Sequence, residues 1–530
     1  MQLLHTCDEL RRWCRPAGEP PAAPLHFVPT MGALHKGHRH LIERAAAPLS
    51  PPGIPPRVLV SVFVNPLQFG PGEDFERYPR DPLADGALAA AAGATALFAP
   101  SVAELFPGGE PELTRVLPPP ALLQGLCART RAGHFEGVAT VVARLLALVR
   151  PDRLLLGEKD WQQLVILRRI VADLALPLRV QGCATWREGD GLAASSRNRY
   201  LSEQERGQAA HLPAALARAR RAWLSGERDS VGLERMVRAE LERADLAVEY
   251  VEMVEARRLR PLDASPPPQG PLLLAAAVRC GPSRLIDHLV LMNRPPIVAI
   301  DGPAGAGKST VTRVLARRLG LIYLDTGAMY RAVTWWVLRH GAHPAVAAEV
   351  APLLAGLELS LDLEASGEQS VIVNGHDVSQ AIRHPDVTAQ VSQVAAHASV
   401  REALTQQQRA LGARGRLVAE GRDIGTAVFP DADLKVFLTA TVAERARRRA
   451  QDLEQRGFAV PPLAELEAQI AERDRQDSSR EVAPLLQAED AVELITDGLT
   501  IEEVVTTLVD LFRERIPEEA WPAPEREAEA

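Results

Sequence analysis

Residues 296–310 read PIVAIDGPAGAGKST. Four apolar residues, 297–300, run without a charge into Asp301, and Gly302-Pro303-Ala304-Gly305-Ala306-Gly307-Lys308-Ser309-Thr310 follows. An apolar run, a glycine loop and an amphipathic stretch over 311–319 predict strand, loop and helix, the setting a phosphate-cradling loop requires. Glycines let successive backbone N–H groups face an anion with no Cβ in the way. In that pattern Lys308 reaches the β/γ phosphates of a nucleoside triphosphate, Ser309 ligates Mg²⁺, and the helix directs its positive end at the anion. Such a loop sits on the first strand of its domain. A domain therefore begins near residue 295, and everything before it belongs to something else.

The chain has 530 residues, room for about three or four core-forming units. Its net charge of −8 offers no footprint for nucleic acid or an anionic membrane. No apolar run reaches the roughly 18 residues of a membrane span. The opening MQLLHTCDELRRW reads as a short amphipathic helix, not a signal peptide. Cys7, Cys14, Cys127, Cys183 and Cys280 are scattered, without a CxxC or Cys/His cluster, which argues against structural zinc and a disulfide framework and for a reducing, cytoplasmic compartment.

In the first half, a strand over 25–28 runs into Pro29-Thr30-Met31-Gly32-Ala33-Leu34-His35-Lys36-Gly37-His38, with a helix from about Arg39. Two imidazoles at a strand-to-helix junction can donate hydrogen bonds to phosphate oxygens and stabilise charge building on an α-phosphate under attack. A proline-rich loop (48–56) precedes VLVSVFV (58–64), continuous rather than alternating as in a parallel sheet. Asn65-Pro66-Leu67-Gln68-Phe69 stands at its C-terminal end, where ligands gather in doubly wound folds, and Gln68 offers both a donor and an acceptor. A helix over 84–92 and a strand over 96–98 follow. Arg131-x-x-His134-Phe135-x-Gly137 precedes an apolar helix (139–149). A strand over 153–156 ends in Gly157-Glu158-Lys159-Asp160-Trp161-Gln162-Gln163, with Lys159 suited to phosphate and Asp160 to Mg²⁺ or ribose. Ser195-Ser196-Arg197 makes a compact triphosphate clamp. Residues 201–224 read as helical, with Ser202 and Glu205 as a capping box, and 248–254 and 272–278 read as strands.

PTMGALHKGH, NPLQF, HFEGV, GEKDWQQ and SSRN, in that order over residues 1–290, resemble the pantothenate synthetase (pantoate–β-alanine ligase) family. The resemblance implies a Rossmann-like HxGH nucleotidyl-transfer domain with a smaller α/β lobe. It implies attack of pantoate on the α-phosphate of ATP, giving pantoyl adenylate and pyrophosphate, then displacement of AMP by β-alanine. By position, His38 is catalytic with His35 beside it. Met31–His38 (Met31, Gly32, Ala33, Leu34, His35, Lys36, Gly37, His38), Gly157, Glu158, Lys159, Asp160, Trp186, Ala194, Ser195, Ser196 and Arg197 line ATP. Met31, Gln68 and Gln163 hold pantoate, Gln68 also touching β-alanine. Lys159 and Arg197 stabilise the departing pyrophosphate. Ala194 and Trp186 depart from the family pattern, which implies altered ATP affinity rather than lost chemistry. The family is usually dimeric, implying a homodimer through this half.

Beyond the glycine loop, Tyr323-Leu324-Asp325-Thr326-Gly327-Ala328-Met329-Tyr330-Arg331 opens another helix, where Thr326 and Arg331 can bind an acceptor phosphate. Strands over 359–363 and 371–373 with an Asn374-Gly375 turn form an insert before a helical stretch, 384–411. Strands over 416–420, ending in Glu420-Gly421-Arg422-Asp423-Ile424-Gly425-Thr426, and 434–438 follow. In ERDRQDSSR (472–480), Arg473, Asp477 and Arg480 fall at i, i+4 and i+7 of a helix. Standing alone this is a solvated, salt-bridged face; beside a phosphate loop it is a mobile basic segment that closes over phosphates.

GPAGAGKST, LDTGAMYR, VSQVAA, GRDIGT and ERDRQDSSRxVAPL resemble bacterial cytidylate kinase over about residues 295–515. This implies a P-loop nucleoside monophosphate kinase domain with a parallel sheet, phosphorylating CMP or dCMP with ATP. Thr326, Arg331, Ser392, Arg401, Arg422, Arg473, Asp477 and Arg480 would then form the CMP and lid contacts. Arg331 and Arg422 are assigned to the acceptor phosphate, Lys308 and Arg473 to the transferring group, and Asp477 to cytosine or ribose.

The expected organisation is 1–188, an ATP/pantoate domain; 189–290, its smaller lobe; 291–296, a linker; 297–515, the kinase domain; and 516–530, an acidic disordered tail. ATP and Mg²⁺ serve both halves, with small-molecule substrates and neither nucleic acid nor membrane as partner. Rival readings keep only one half active, make the P-loop half a nucleotide sensor, or replace CMP by UMP.

Overall fold

The computed structural model describes residues 1–15, 23–47, 54–262, 270–363, 369–455, 457, 459–480 and 482–521. Most of the proline-rich 48–56 loop and residues 522–530 of the tail lie outside them. The chain divides into two units: Met1–Asn293 with Ile516–Ala520, and Arg294–Arg515 with the residues from Trp521 on.

The first unit is built on a parallel six-stranded sheet of β1 (Gln2–Leu4), β2 (Leu25–Thr30), β3 (Arg57–Val62), β4 (Ala96–Phe98), β5 (Arg153–Gly157) and β6 (Arg179–Cys183), in the order β1-β4-β3-β2-β5-β6. Val58, Leu59 and Val60 of β3 are all fully buried, because a parallel strand covered on both faces has no polar side to show. One face packs with the helices His134–Val149 and Trp161–Asp173, the other with Lys36–Ala46 and Pro82–Ala91. A second, antiparallel sheet of β7 (Ala247–Glu255), β8 (Leu272–Cys280) and β9 (Ser283–Leu291) packs against His211–Leu224 and Ser230–Arg243 around Trp223.

The second unit has a parallel sheet of β10 (Ile297–Asp301), β11 (Ile322–Asp325), β15 (Leu417–Gly421), β16 (Leu434–Thr439) and β17 (Val492–Ile495), ordered β11-β15-β10-β16-β17. The insert is a small antiparallel sheet of β12 (Leu359–Leu363), β13 (Gln369–Val373) and β14 (His376–Asp377), with Asn374-Gly375 turning between the last two.

Four expectations change. The opening is not one helix: Gln2–Leu4 pairs with β4, and the helix Cys7–Cys14 starts only at a Thr6/Glu9 capping box. The 201–224 stretch keeps its Ser202/Glu205 capping box but breaks at Ala210, three residues before Pro213, which has no N–H to continue the ladder. The 384–411 stretch is two helices, Pro385–Val394 and Ala398–Gly412. Finally, 516–530 does not begin as a disordered tail: Ile516 is buried, Ala520 packs on the first unit's core, and Glu518–Ala520 is a 3-10 turn.

Gly137 decides how the helix His134–Val149 meets the turn Pro66–Gln68. A Cβ there would lie 2.2 Å from the Leu67 carbonyl oxygen, so only glycine lets the helix seat this closely. The Asn65 amide spans the gap, donating to the Gly137 carbonyl at 3.1 Å and to Gln68 Oε1 at 3.1 Å. Gly137→Ala is expected to cost about 1–3 kcal/mol, as overpacking does. Denaturant unfolding followed on this unit checks it; an unchanged midpoint would contradict the packing argument.

Candidate active sites

The first site forms where β2 hands over to the helix Lys36–Ala46. The connecting loop turns through Gly32 (φ +84°) and Ala33 (φ +51°). That turn is held from outside by Asp85, a buried carboxylate that accepts the N–H groups of Ala33 at 3.0 Å and Leu34 at 2.7 Å. His35 caps the helix: its Nδ1 accepts the Gly37 N–H at 3.1 Å, while His38 Nδ1 accepts the His35 N–H at 3.3 Å. An Nδ1 that accepts carries no proton, so each neutral ring holds its hydrogen on Nε2. Burial, then the Lys159 charge, pushes His35 down to about 4; burial, then His35, pushes His38 well below the usual imidazole range. The pair, with ring centroids 4.0 Å apart, is two neutral N–H donors rather than two cations.

Gln68 Nε2 donates to Met31 Sδ at 3.0 Å, which joins two of the three expected pantoate contacts. His134 supports this turn. Its Nε2 accepts from Arg131 (2.9 Å), so Nδ1 donates to the Gln68 carbonyl (2.8 Å); Arg131 in turn pairs with Glu73 at 2.6 Å. Burial, then Arg131, holds His134 at about 4. Lys159, Asp160, Gln163, Ser195, Arg197, Arg131 and His134 line one pocket. Burial would raise the Asp160 carboxyl, but Lys159, His134 and Arg197 outweigh it and hold it low.

Four expected contacts, Arg197, Ser195, Ser196 and Glu158, differ in detail. Arg197 is not an open clamp: it makes a two-pronged ion pair with Asp74, at 2.9 and 2.7 Å. Ser196 Oγ lies 3.2 Å from the Tyr78 hydroxyl, and Ser195 Oγ accepts the Arg197 N–H, so the hydroxyls shape the loop. Glu158, only 1% exposed, directs its carboxylate at the backbone of Glu518 and Glu519, and burial followed by the Glu519 charge pushes it up to about 8. Trp186 and Ala194 are linked by an Ala194 N–H to Trp186 carbonyl bond of 2.9 Å; Lys36 lies 5.5 Å from the indole centroid, and the space beside Gly37 ends at Ala194.

In the second unit, Gly302 (φ +151°) passes so close to β16 that a Cβ would lie 2.0 Å from the Leu438 carbonyl oxygen. Lys308 bends back over the loop and donates to the Gly302 and Pro303 carbonyls at 2.8 and 2.7 Å. Burial, then Arg422, lowers it to about 7. Asp301, 5% exposed, accepts the Ile424 and Gly425 N–H groups at 2.8 and 2.7 Å, fastening the GRDIGT segment to the glycine loop; burial pushes it up to about 6. Glu420 on β15 takes hydrogen bonds from the Tyr323 and Ser309 hydroxyls, and its carbonyl accepts Thr326 Oγ1 at 2.6 Å.

Arg331 pairs with Asp325 at 3.1 Å, and Arg401 with Asp423 at 2.7 Å. Asp477, 1% exposed, receives Arg422 at 2.9 Å and also Arg480. Its place is therefore as a hub between arginines. Arg480 lies beyond the helix Leu463–Ser478, so the i, i+7 helical reading holds for Arg473 and Asp477 but not for Arg480. Arg473 is lowered to about 10 by burial, then by Arg422, against an opposing pull from Asp477. Ser392 is half-buried on the helix Pro385–Val394.

The acids that hold these loops, Asp85, Asp74, Glu73, Asp301 and Glu420, stand outside the motifs. Asp301 and Glu420 carried a signal, an acid near the end of an otherwise apolar strand. Asp85 and Asp74 carried none, because their partners lie 51 and 123 positions away.

The pantoate-beta-alanine ligase family profile matches residues 2–290, and the cytidylate kinase profile residues 298–514. A bifunctional pantoate ligase/cytidylate kinase of Prochlorococcus marinus (strain MIT 9313) is 63% identical over 501 residues, 94% of this chain and 97% of that one. The protein of the same name from Synechococcus sp. (strain RCC307) is 59% identical over 517 residues, 98% of this chain and 99% of its own. The crystal structure of pantothenate synthetase from Thermus thermophilus is 44% identical, covers 55% of this chain and 99% of that one, and superposes with a TM-score of 0.50. With both profiles matched in order, and relatives alike along almost their full length, the chain belongs to the bifunctional pantoate ligase/cytidylate kinase family.

Proposed function

We propose that the two sites use ATP at opposite ends. In the ligase half, a pantoate carboxylate oxygen attacks the α-phosphorus as its bond to the β-phosphate oxygen breaks, and pyrophosphate leaves. The β-alanine amine then attacks the acyl carbon, gives up a proton, and AMP departs with its new oxygen. His35 and His38 donate from Nε2 to the α-phosphate oxygens as charge grows there. Lys159 and Arg197 hold the departing pyrophosphate, Arg197 exchanging Asp74 for phosphate. Met31, Gln68 and Gln163 orient pantoate. In the kinase half, a CMP phosphate oxygen attacks the γ-phosphorus and ADP leaves. Lys308 and Arg473 meet the transferring group; Arg331 and Arg422 meet the acceptor phosphate, with Thr326, Ser392, Arg401, Asp477 and Arg480 around the nucleotide.

The supporting observation is the contrast between the donor sets: neutral imidazoles at one helix start, a buried lysine and crowded arginines at the other. Oxygen donors that would hold Mg²⁺ are present at both sites: the Ser309 hydroxyl, hydrogen-bonded to the Glu420 carboxylate, in one, and the Asp160 carboxylate in the other. Its chemistry there is to offset charge on the phosphates. A cytoplasmic location accords with five free cysteines, and among the described residues no helix is long and apolar enough to cross a membrane. A homodimer through the ligase half rests on the family resemblance; sedimentation of the purified chain tests it.

His38→Ala is expected to lower pantoate-dependent pyrophosphate release by about 10²–10³-fold and leave CDP formation intact, and Lys308→Ala to do the reverse. Loss of both activities in either variant would contradict two independent sites. A panel of CMP, dCMP and UMP at equal concentration should show UMP as the poorest acceptor; UMP preferred would replace the proposed substrate.

The pH dependence follows from His35. A histidine at about 4 stays neutral through the ordinary titration near 6.5, so ligase kcat/KM should show no histidine limb between about pH 5 and 8. The sign for stability is the opposite of a paired histidine's. Between about pH 4 and 6.5 the unfolded chain binds protons the native site refuses, so stability falls as pH drops through that window. An acid limb near 6.5 that disappears in His35→Asn would contradict the neutral pair.

A further inference from the structure

Residues 516–520 follow the whole kinase half in sequence, yet they belong to the first unit. There they join three elements of the ligase site. The Glu518 and Glu519 N–H groups donate to the two oxygens of Glu158, at 2.7 and 3.1 Å, immediately before Lys159 and Asp160. Glu518 Oε2 accepts the Ala184 N–H at 2.9 Å and Glu519 Oε1 the Thr185 N–H at 3.1 Å, immediately before Trp186. The other oxygen of Glu518 pairs with Arg44, on the helix that His35 and His38 begin. Glu519 Oε2 lies 3.6 Å from His288 Nε2. Both glutamates are largely buried, with side chains 13% and 16% exposed.

We infer that Glu518 and Glu519 are positioning residues for the ligase reaction, a strap behind the site that sets the loops carrying Lys159 and Trp186 against the HxGH helix. The inference rests on the reading that those loops bind ATP. Neither glutamate lines the pocket that holds Lys159, Asp160 and Arg197. Each accepts a peptide N–H of the Ala184–Thr185 loop, gives its own N–H to Glu158, and so fixes two loops far apart in sequence to one short segment. Removing these acceptors frees the loop that leads into Trp186 to move, which weakens ATP capture before it alters the bond-making step.

The test is made in the full-length chain with three proteins: the parent, Glu518→Ala/Glu519→Ala, and Glu518→Gln/Glu519→Gln. Pyrophosphate release with pantoate and β-alanine is measured against ATP, and CDP formation reports that the chain is folded. The alanine pair is expected to raise the ligase KM for ATP roughly ten-fold, with a smaller change in kcat, while CDP formation is unchanged. The glutamine pair keeps an oxygen for the Ala184 and Thr185 N–H groups and is expected to recover most of the parent KM. A KM for ATP in the alanine pair equal to the parent's would overturn the inference. So would a fall in kcat at constant KM in both variants alike, the signature of lost folded protein. A parent without pantoate-dependent pyrophosphate release would instead overturn the underlying ligase reading.

Discussion

A buried carboxylate that accepts two consecutive backbone N–H groups recurs at three loops of this chain. Asp85 takes those of Ala33 and Leu34, Asp301 those of Ile424 and Gly425, and Glu158 those of Glu518 and Glu519. Each acid is at most 5% exposed. Withdrawing a carboxylate from water is unfavourable, and the strain shows as an upward pull on all three, to about 6 at Asp301 and about 8 at Glu158. The return is geometric. Two peptide planes are fixed against an element distant in sequence, so the loop between strand and helix is set before substrate arrives. Asp85 orders the turn into His35, and Asp301 locks the Arg422 segment to the glycine loop.

What is fixed by this device differs between halves. In the ligase half two imidazoles are kept neutral by burial and by Lys159, so they present directed hydrogen bonds and little net charge. That suits an α-phosphate, where charge grows on oxygens already flanked by ester linkages. In the kinase half Lys308, Arg422, Arg473 and Arg480 are gathered: burial, then Arg422, brings Lys308 down to about 7 and Arg473 to about 10. A terminal phosphoryl group carries the most charge, and bringing it in relieves that crowding. A gathering of positive charge of this kind favours the most anionic end of a nucleotide.

The parts of both sites legible in the sequence are those in which function is written into consecutive residues. Gly302, Gly305 and Gly307 all take left-handed or otherwise side-chain-excluding φ values, and His35 sits at the N-cap where its spacing to Gly37 and His38 puts it. Gly137 is a partial case. HFEGV was recognisable, but the reason for its glycine, the Leu67 carbonyl, lies on another loop. The illegible parts are pairings between distant residues: Arg197 with Asp74, Arg401 with Asp423, and the short edge strands β1 and β17, whose few apolar residues need a neighbour to be strands at all. Composition alone makes the segment from Ile516 an acidic disordered tail, because nothing local reveals that its acids meet the Arg44 guanidinium and unfilled N–H groups.

If the imidazole pair serves the innermost phosphorus of ATP and the glycine loop the outermost, the fate of one pantoate oxygen reveals it. Pantoate labelled with ¹⁸O in its carboxylate, turned over with ATP and β-alanine in the presence of CMP, should deliver one labelled oxygen to AMP and none to pyrophosphate, ADP or CDP, seen as an isotope shift of the AMP phosphorus resonance. Label in inorganic phosphate or pyrophosphate, with unlabelled AMP, would mean attack at another phosphorus and would contradict the account.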